Sequence, residues 1–249
     1  MNVLGIIPAR YASSRFPGKP LADIGGKPMI QRVYEQASLA LERVCVATDD
    51  NRIAETVKAF GGEVVMTDKS HRSGTERCYE AVQNYRKAKQ LNFEVIVNIQ
   101  GDEPFINPQQ IQDLTKIFVD NSVQIATQVK KIVETKELFD ENIPKVVLNK
   151  QNEAIYFSRQ AIPFLRGTNR DEWLNHQAYY KHIGIYAYRS EVLSEIVGLQ
   201  PTANEQAESL EQLRWIDNGY AIAVQETVFE TVSIDTPQDL ERIKQKYRL

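Results

Sequence analysis

The chain has 249 residues, 42% hydrophobic and 25% charged, close to the average of a soluble globular protein. A chain this long buries roughly 70–75% of its unfolded surface and needs no disulfides to stand up. Thirty Lys+Arg against 33 Asp+Glu give a formal charge of −3, so there is no general basic field of the kind that holds a nucleic-acid backbone or an anionic membrane. Any anion must be bound locally.

Met1-Asn2-Val3-Leu4-Gly5-Ile6-Ile7-Pro8 has no basic leader, and its apolar run is too short for a secretory signal or a transmembrane helix, so the mature chain is expected to start here. Val3 to Ile7, ended by Pro8, predicts a strand buried on both faces. Val44–Ala47, Val64–Met66 and Val95–Ile99 repeat that pattern after stretches of helical period, such as Met29-Ile30, Val33-Tyr34, Ala37 and then Ile53-Ala54, Val57. Alternation through about residue 120 predicts a parallel, right-handedly connected α/β sheet. The second half is less regular, with strands expected at 124–130, 146–148, 154–157, 182–188 and 221–225. A helix over Leu210–Asn218 ends at Gly219. A last helix starts with Thr236 as N-cap, Pro237 at its first position and Asp239 in its first turn. One continuous α/β domain is expected, with about 130–190 as an irregular subregion. Cys45 and Cys78 stand alone, offering neither a metal knuckle nor a disulfide framework, which fits a reduced cytoplasm.

The loop after the first strand, Pro8 to Pro20, concentrates Arg10, Arg15 and Lys19 with Ser13, Ser14 and Gly18 at a strand's carboxyl end, where open α/β sheets bind ligands. Arginine forks, a compact ammonium, hydroxyls and the backbone N–H groups around Gly18 suit a polyphosphate; a solvated basic loop is the plain alternative. No G-x-G-x-x-G is present, and Gly25-Gly26-Lys27-Pro28 lacks the upstream glycine and the Ser/Thr of a P-loop, so side chains and an irregular loop must hold the phosphates. In Gln100-Gly101-Asp102-Glu103-Pro104 a strand runs into a sharp polar turn, making Asp102 a candidate Mg²⁺ ligand. Asp235, just before the last helix, is a second, although an Asp there also suits the helix dipole. Ser73-Gly74-Thr75-Glu76-Arg77 offers a close backbone approach at Gly74 and a phosphate-reaching Arg77, and equally reads as an N-cap in which Ser73 pairs with Glu76. His71, His176 and His182 are too scattered for a metal cluster, and no Ser-His-Asp or Cys-His arrangement follows from their order.

Together, Ile6 to Leu21, Val46-Ala47-Thr48-Asp49-Asp50, Ser73 to Arg77, Asn98 to Pro104, Tyr156-Phe157-Ser158-Arg159, His182 to Tyr186, Leu210 to Arg214 and Asp235 to Leu240 closely resemble the 3-deoxy-manno-octulosonate cytidylyltransferases, or CMP-Kdo synthetases. The blocks occur in the family's order over nearly the whole chain. The resemblance implies a nucleotide-diphospho-sugar transferase-like α/β fold, a mostly parallel Rossmann-like sheet with a smaller mixed subregion. It also implies a cytoplasmic homodimer and the reaction CTP + Kdo → CMP-Kdo + diphosphate, with Mg²⁺, in lipopolysaccharide biosynthesis. By the same resemblance Arg10, Ser13, Arg15 and Lys19 hold the triphosphate, with Arg10, Arg15, Lys19 and Asp102 as the catalytic set. Ser73, Gly74 and Arg77 lie near the cytidine, Asp102 and Asp235 carry the metal, and Gln100, Arg159, His182, Tyr186, Glu211 and Gln212 form the sugar-acid site. Phe164 to Ala178, with Trp173 and His176, match no family block. The rival readings are a cytidylyltransferase for another sugar acid, N-acylneuraminate or an 8-amino analogue of Kdo, and a non-catalytic nucleotide sensor. An N-acylneuraminate enzyme carries Asn after the loop lysine, where this chain has Pro20.

Overall fold

The apolar run at the N-terminus forms β1 (Val3–Ala9) in a computed structural model that describes residues 1–13, 15–230 and 232–248. Ser14, expected in the phosphate loop, lies outside the described residues. The chain divides into two compact units, Met1–Thr115 with Thr231–Leu249, and Lys116–Glu230, and each is described by itself.

In the first unit β1 leads through a 3-10 turn (Lys19–Leu21) to a short hairpin, β2 (Asp23–Ile24) and β3 (Lys27–Pro28). Gly25-Gly26, the sequence's imperfect P-loop, is this hairpin's two-residue turn. Then follow α1 (Met29–Ala40), β4 (Val44–Thr48), α2 (Asn51–Ala59), β5 (Val64–Met66), α3 (Gly74–Lys89), β6 (Val95–Asn98) and α4 (Pro108–Lys116). The expected alternation is borne out: β6, β1, β4 and β5 pair in that order, all parallel. Leu4, Ile6, Ile7, Val46, Ile96 and Val97 are wholly buried, which is why these strands read as continuous apolar runs.

The sequence pattern stops the first strand at Pro8, yet β1 continues through Pro8 and Ala9, opposite Ala47 and Thr48 of β4. In a parallel ladder alternate residues turn to opposite neighbours. Gly5 bonds on the β4 side, its N–H donating to the Arg43 carbonyl, and the Ile6 carbonyl accepts from Ile99 on the β6 side. Pro8 therefore faces β6, whose pairing has already ended at Asn98, and its missing N–H costs no ladder bond.

The second unit holds β7 (Ile125–Lys131), α5 (Thr135–Leu138), β8 (Lys145–Leu148), β9 (Ala154–Ser158), α6 (Trp173–His176), β10 (Tyr180–Arg189), α7 (Ser190–Ile196), α8 (Ala203–Glu208), α9 (Gln212–Asp217) and β11 (Ile222–Glu226). Its pairing is mixed, as expected: β11 joins β7 in parallel, while β10 with β7, β10 with β8, and β8 with β9 are antiparallel. The helix predicted from Leu210 starts two residues later, and its end is the expected one: Gly219 and Tyr220 donate back to Ile216 and Trp215. Trp173, in the stretch that matches no family block, packs with Ile132, Leu138 and Tyr179 in a local apolar cluster.

The C-terminal segment returns to the first unit as α10 (Pro237–Tyr247). Its start follows the predicted cap: Thr236 Oγ1 accepts from Asp239 N–H at 3.2 Å and Asp239 Oδ2 accepts from Thr236 N–H at 2.9 Å. Leu240 and Ile243 bury against Ile24, Met29 and Ile234, and the Tyr247 ring stacks on Phe105 with centroids 4.1 Å apart. Thr236→Ala removes the cap and is expected to cost about 1 kcal/mol, read as a lower urea midpoint with unchanged slope.

Candidate active site

A cleft of about 390 Å³ opens at the carboxyl ends of β1 and β6, lined by Arg10, Ser13, Arg15, Lys19, Gln100, Asp102 and Asp235 among others. Three stretches far apart in sequence thus converge within the first unit.

The loop stretch is shaped by its own backbone. Gly18 sits at φ +73°, left-handed geometry that glycine tolerates without strain, and starts the 3-10 turn that carries Lys19. The N–H groups expected to cradle phosphate around Gly18 are already used: Gly18 donates to the Tyr11 carbonyl at 2.9 Å and Lys19 to the Phe16 carbonyl at 3.1 Å. A turn tight enough to aim Lys19 consumes its own amides, so in this geometry the side chains face the anion. Ser13 Oγ accepts from Phe16 N–H at 3.3 Å, leaving its hydroxyl proton to donate. Arg10 and Arg15 are exposed.

The carboxylates are placed by close backbone approaches. A Cβ on Gly101 would lie 2.7 Å from the Pro8 carbonyl oxygen, so only glycine lets the strand turn here and bring Asp102 forward. The Asp102 carbonyl accepts from Ile234 N–H at 3.0 Å, tying the two acidic segments together. Lys19 Nζ then donates to Asp102 Oδ2 at 2.7 Å and to Asp235 Oδ1 at 3.2 Å, and Arg15 donates to the same Asp235 oxygen at 3.1 Å. Two carboxylates facing one ammonium form an all-oxygen donor set that suits a hard divalent cation completed by phosphate oxygens and water. No group of three or more His, Cys, Asp or Glu that could hold a metal occurs among the described residues.

Ser73 caps α3, its Oγ accepting from Glu76 N–H at 3.2 Å, while the Glu76 carboxylate accepts from Arg72 N–H at 2.8 Å rather than from Ser73. Gly74 lies beside Asn98 and Pro8, at the ends of β6 and β1. Arg77 differs from its expectation. Only 1% exposed, its guanidinium donates to Thr67 Oγ1 at 2.5 Å and to Asp49 Oδ2 at 3.1 Å. A cation so enclosed is held by its partners, and it ties the first turn of α3 to Asp49, after β4, and to Thr67, after β5.

The expected sugar residues other than Gln100 belong to the second unit. Arg159, too, is engaged: its guanidinium donates to the carbonyls of Glu208, Glu141 and Ser209. His182 and Tyr186 flank a bulge in β10, with ring centroids 5.2 Å apart. Thr127 Oγ1 fills that bulge, 2.7 Å from the Ile185 carbonyl and 3.0 Å from His182 Nε2. The single hydroxyl proton goes to the carbonyl, so Nε2 carries the imidazole proton and Nδ1 is left as an acceptor. Loss of water around the ring pushes the His182 pKa down to about 3, and burial, with the Glu211 carboxylate adding to it, pushes the Tyr186 phenol well above its ordinary value. Glu211 and Gln212 begin α9. Gln212 Nε2 and Trp215 Nε1 are buried donors without a protein partner, and the Trp215 ring meets Tyr186 edge-on at 5.1 Å. Trp215 went unread in the sequence, although it stands three residues after Gln212 and hence on the same helix face.

The cytidylyltransferase family profile matches residues 4–224. The chain belongs to the cytidylyltransferase family. It is 60% identical over 246 residues to a 3-deoxy-manno-octulosonate cytidylyltransferase of Parabacteroides distasonis, covering 97% of this chain and 96% of that one. It is 44% identical to the protein of that name in Geobacter sulfurreducens, over the whole of both chains. A solved CMP:2-keto-3-deoxy-manno-octonic acid synthetase in complex with CTP superposes with a TM-score of 0.90 at 41% identity, covering 100% of this chain and 99% of that one. A Leptospira borgpetersenii cytidylyltransferase, at 17% identity and a TM-score of 0.64, shares the fold. The family resemblance and the α/β fold class read from the sequence are both borne out. No described helix of this cytidylyltransferase is long and apolar enough to cross a membrane.

The His182 shift has a consequence for stability. The unfolded imidazole takes up a proton near pH 6.5 and the folded one only near 3, so stability is complete above 6.5 and falls as pH drops through that window. Urea midpoints between pH 6.5 and 4.5 should decline with a contribution of at most about 1.4 kcal/mol per pH unit from this group, and His182→Gln should flatten that part of the slope.

Proposed function

We propose that this chain transfers CMP from CTP to Kdo, giving CMP-Kdo and diphosphate for lipopolysaccharide synthesis. The observation that carries the reading is the convergence of Arg10, Ser13, Arg15, Lys19, Asp102 and Asp235 on one cleft, in a chain 60% identical to a protein named for this reaction. The anomeric hydroxyl of the sugar acid attacks the α-phosphorus in line as diphosphate departs, so the protein's work is to position two anions and neutralise charge. Arg10 and Arg15 fork onto phosphate oxygens, Lys19 adds a point charge, and all three stabilise the departing diphosphate. Ser73 and Gly74, at the neighbouring strand ends, face the cytidine, with Arg77 holding their helix in place. Asp102 and Asp235 would hold Mg²⁺, which would supply charge neutralisation at the phosphates and a more acidic attacking hydroxyl.

The second unit has the chemistry to receive an acidic polyol. Buried polar atoms without partners cost roughly 1–3 kcal/mol each, so Gln212 Nε2 and Trp215 Nε1 are donors kept for a ligand's oxygens. The neutral His182 offers Nδ1 to a sugar hydroxyl, while Arg159, Tyr186 and Glu211 complete the assignment within this unit; Gln100, also assigned to the sugar acid, lines the cleft of the first unit. The exposed Val133, Phe164 and Val228 give the 130–190 subregion and its surroundings apolar surface for a homodimer contact. Cys45 and Cys78, buried and outside any disulfide, suit a cytoplasmic enzyme.

Diphosphate release with a panel of nucleotides and sugar acids, followed by mass spectrometry, should show turnover with CTP, Kdo and Mg²⁺; turnover only with N-acylneuraminate or 8-amino-Kdo would reassign the sugar, and none at all would leave a binding protein. Asp102→Ala and Asp235→Ala should each abolish turnover with the fold intact, and full activity in either would remove that carboxylate from the metal site. Because the Lys19 ammonium sits between both carboxylates, Lys19→Met should bind Mn²⁺ about tenfold or more tightly without nucleotide, by paramagnetic titration, while losing turnover.

A further inference from the structure

We infer that Tyr11, held by Arg52, sets the shape of the triphosphate loop before nucleotide arrives, as a positioning residue for Ser13, Arg15 and Lys19. This inference rests on the nucleotide-transfer reading above. The described residues of 10–18 form no ladder with any strand, yet one carbonyl closes the loop at both ends: Tyr11 O accepts from Ser13 N–H at 2.9 Å and from Gly18 N–H at 2.9 Å. The Tyr11 ring occupies the room that Gly18 leaves open, since a Cβ on Gly18 would lie 3.1–3.2 Å from the ring carbons and the hydroxyl. Over the ring lies the Arg52 guanidinium, its central carbon 3.3 Å from the centroid.

Arg52 is itself fixed. Its Nε and a terminal nitrogen donate to the two Asp50 oxygens at 3.0 and 2.6 Å, and Asp50 is the N-cap of α2, accepting the Arg52 backbone N–H at 2.9 Å. A regular helix therefore holds a carboxylate, the carboxylate orients a planar cation, and the cation presses on the ring around which the loop is folded. Asp50 neutralises Arg52, so the stack adds little net charge to the site and its effect is on position. A loop that is free to wander reaches its binding shape only part of the time, and apparent affinity falls by that fraction. Once nucleotide is bound, the reacting groups are the same, so the loss appears in KM rather than kcat.

The test uses Tyr11→Ala, Arg52→Ala, the double Ala variant and Tyr11→Phe, with CTP varied at saturating Kdo and Mg²⁺. The expected result is a KM for CTP raised about tenfold in each single Ala variant, with kcat within about twofold. The double variant should be no worse than either single, Tyr11→Phe should match the parent, and Arg52→Ala, which leaves the ring in place, keeps the test decisive if removal of the ring unfolds the chain. In the same proteins without ligand, trypsin should cut after Arg15 about tenfold faster in the Ala variants. A fall in kcat at constant KM, multiplying effects in the double variant, or unchanged KM and cleavage would each overturn the inference. If the parent chain releases no diphosphate with any sugar acid, the proposed function fails, and the cleavage rates alone then decide whether Tyr11 and Arg52 order the loop.

Discussion

The first unit is organised around one shared ion pair, the Lys19 ammonium between the carboxylates of Asp102 and Asp235. Two carboxylates this close repel by several kcal/mol at the effective dielectric of a partly buried site, and something cationic must stand between them. Three separate arrangements exist to bring these groups together: the Gly18 turn that aims Lys19, the Gly101 approach to Pro8, and the return of the C-terminal helix. Of these, the return is the most demanding, because Asp235 lies 216 residues from Lys19. It is secured by the capped start of α10 and by Leu240 and Ile243 buried on Ile24 and Met29.

A shared pair of this kind also keeps the cleft nearly neutral before substrate binds. Lys19 and Arg15 are matched by Asp102 and Asp235, and Arg52 by Asp50. The site thus gathers cations without giving a protein of net charge −3 a general affinity for polyanions. The second unit follows a different logic, with uncharged groups: a neutral His182, an un-ionised Tyr186 and buried amide and indole donors. Its buried lysines, Lys145 and Lys181, are spent internally, Lys145 on three carbonyls and Lys181 on Glu137 and Glu230.

Much of this was legible from the chain alone. Fully buried parallel strands must be apolar throughout, so β1, β4 and β6 announced themselves, and a Thr-Pro-x-Asp start marks a helix whatever surrounds it. Cations collected behind β1 and carboxylates at two other strand or helix ends were visible as candidates for one polyphosphate site. Less legible were the partners of those groups. Arg77 and Arg159 look like anion ligands by residue type, but their guanidinium groups face Asp49, Thr67 and a set of loop carbonyls. Arg52 and Trp215 carry no motif of their own, and Tyr11, although inside the first family block, has no chemistry that marks it there; all three matter through what they touch.

The sequence by itself determined the alternation of elements, the caps and turns, and the inventory of charged groups, because these depend on neighbours a few residues apart. It determined the family as well, since the blocks recur in order along the chain. Tertiary structure alone decided which cations remain available and which are consumed, which backbone amides the Gly18 turn uses, and that Lys19 spans both carboxylates. The physical reason is that ionic and hydrogen-bonding capacity is satisfied by whatever lies within about 3 Å in space, and for residues 19, 102 and 235 that proximity is created only by packing.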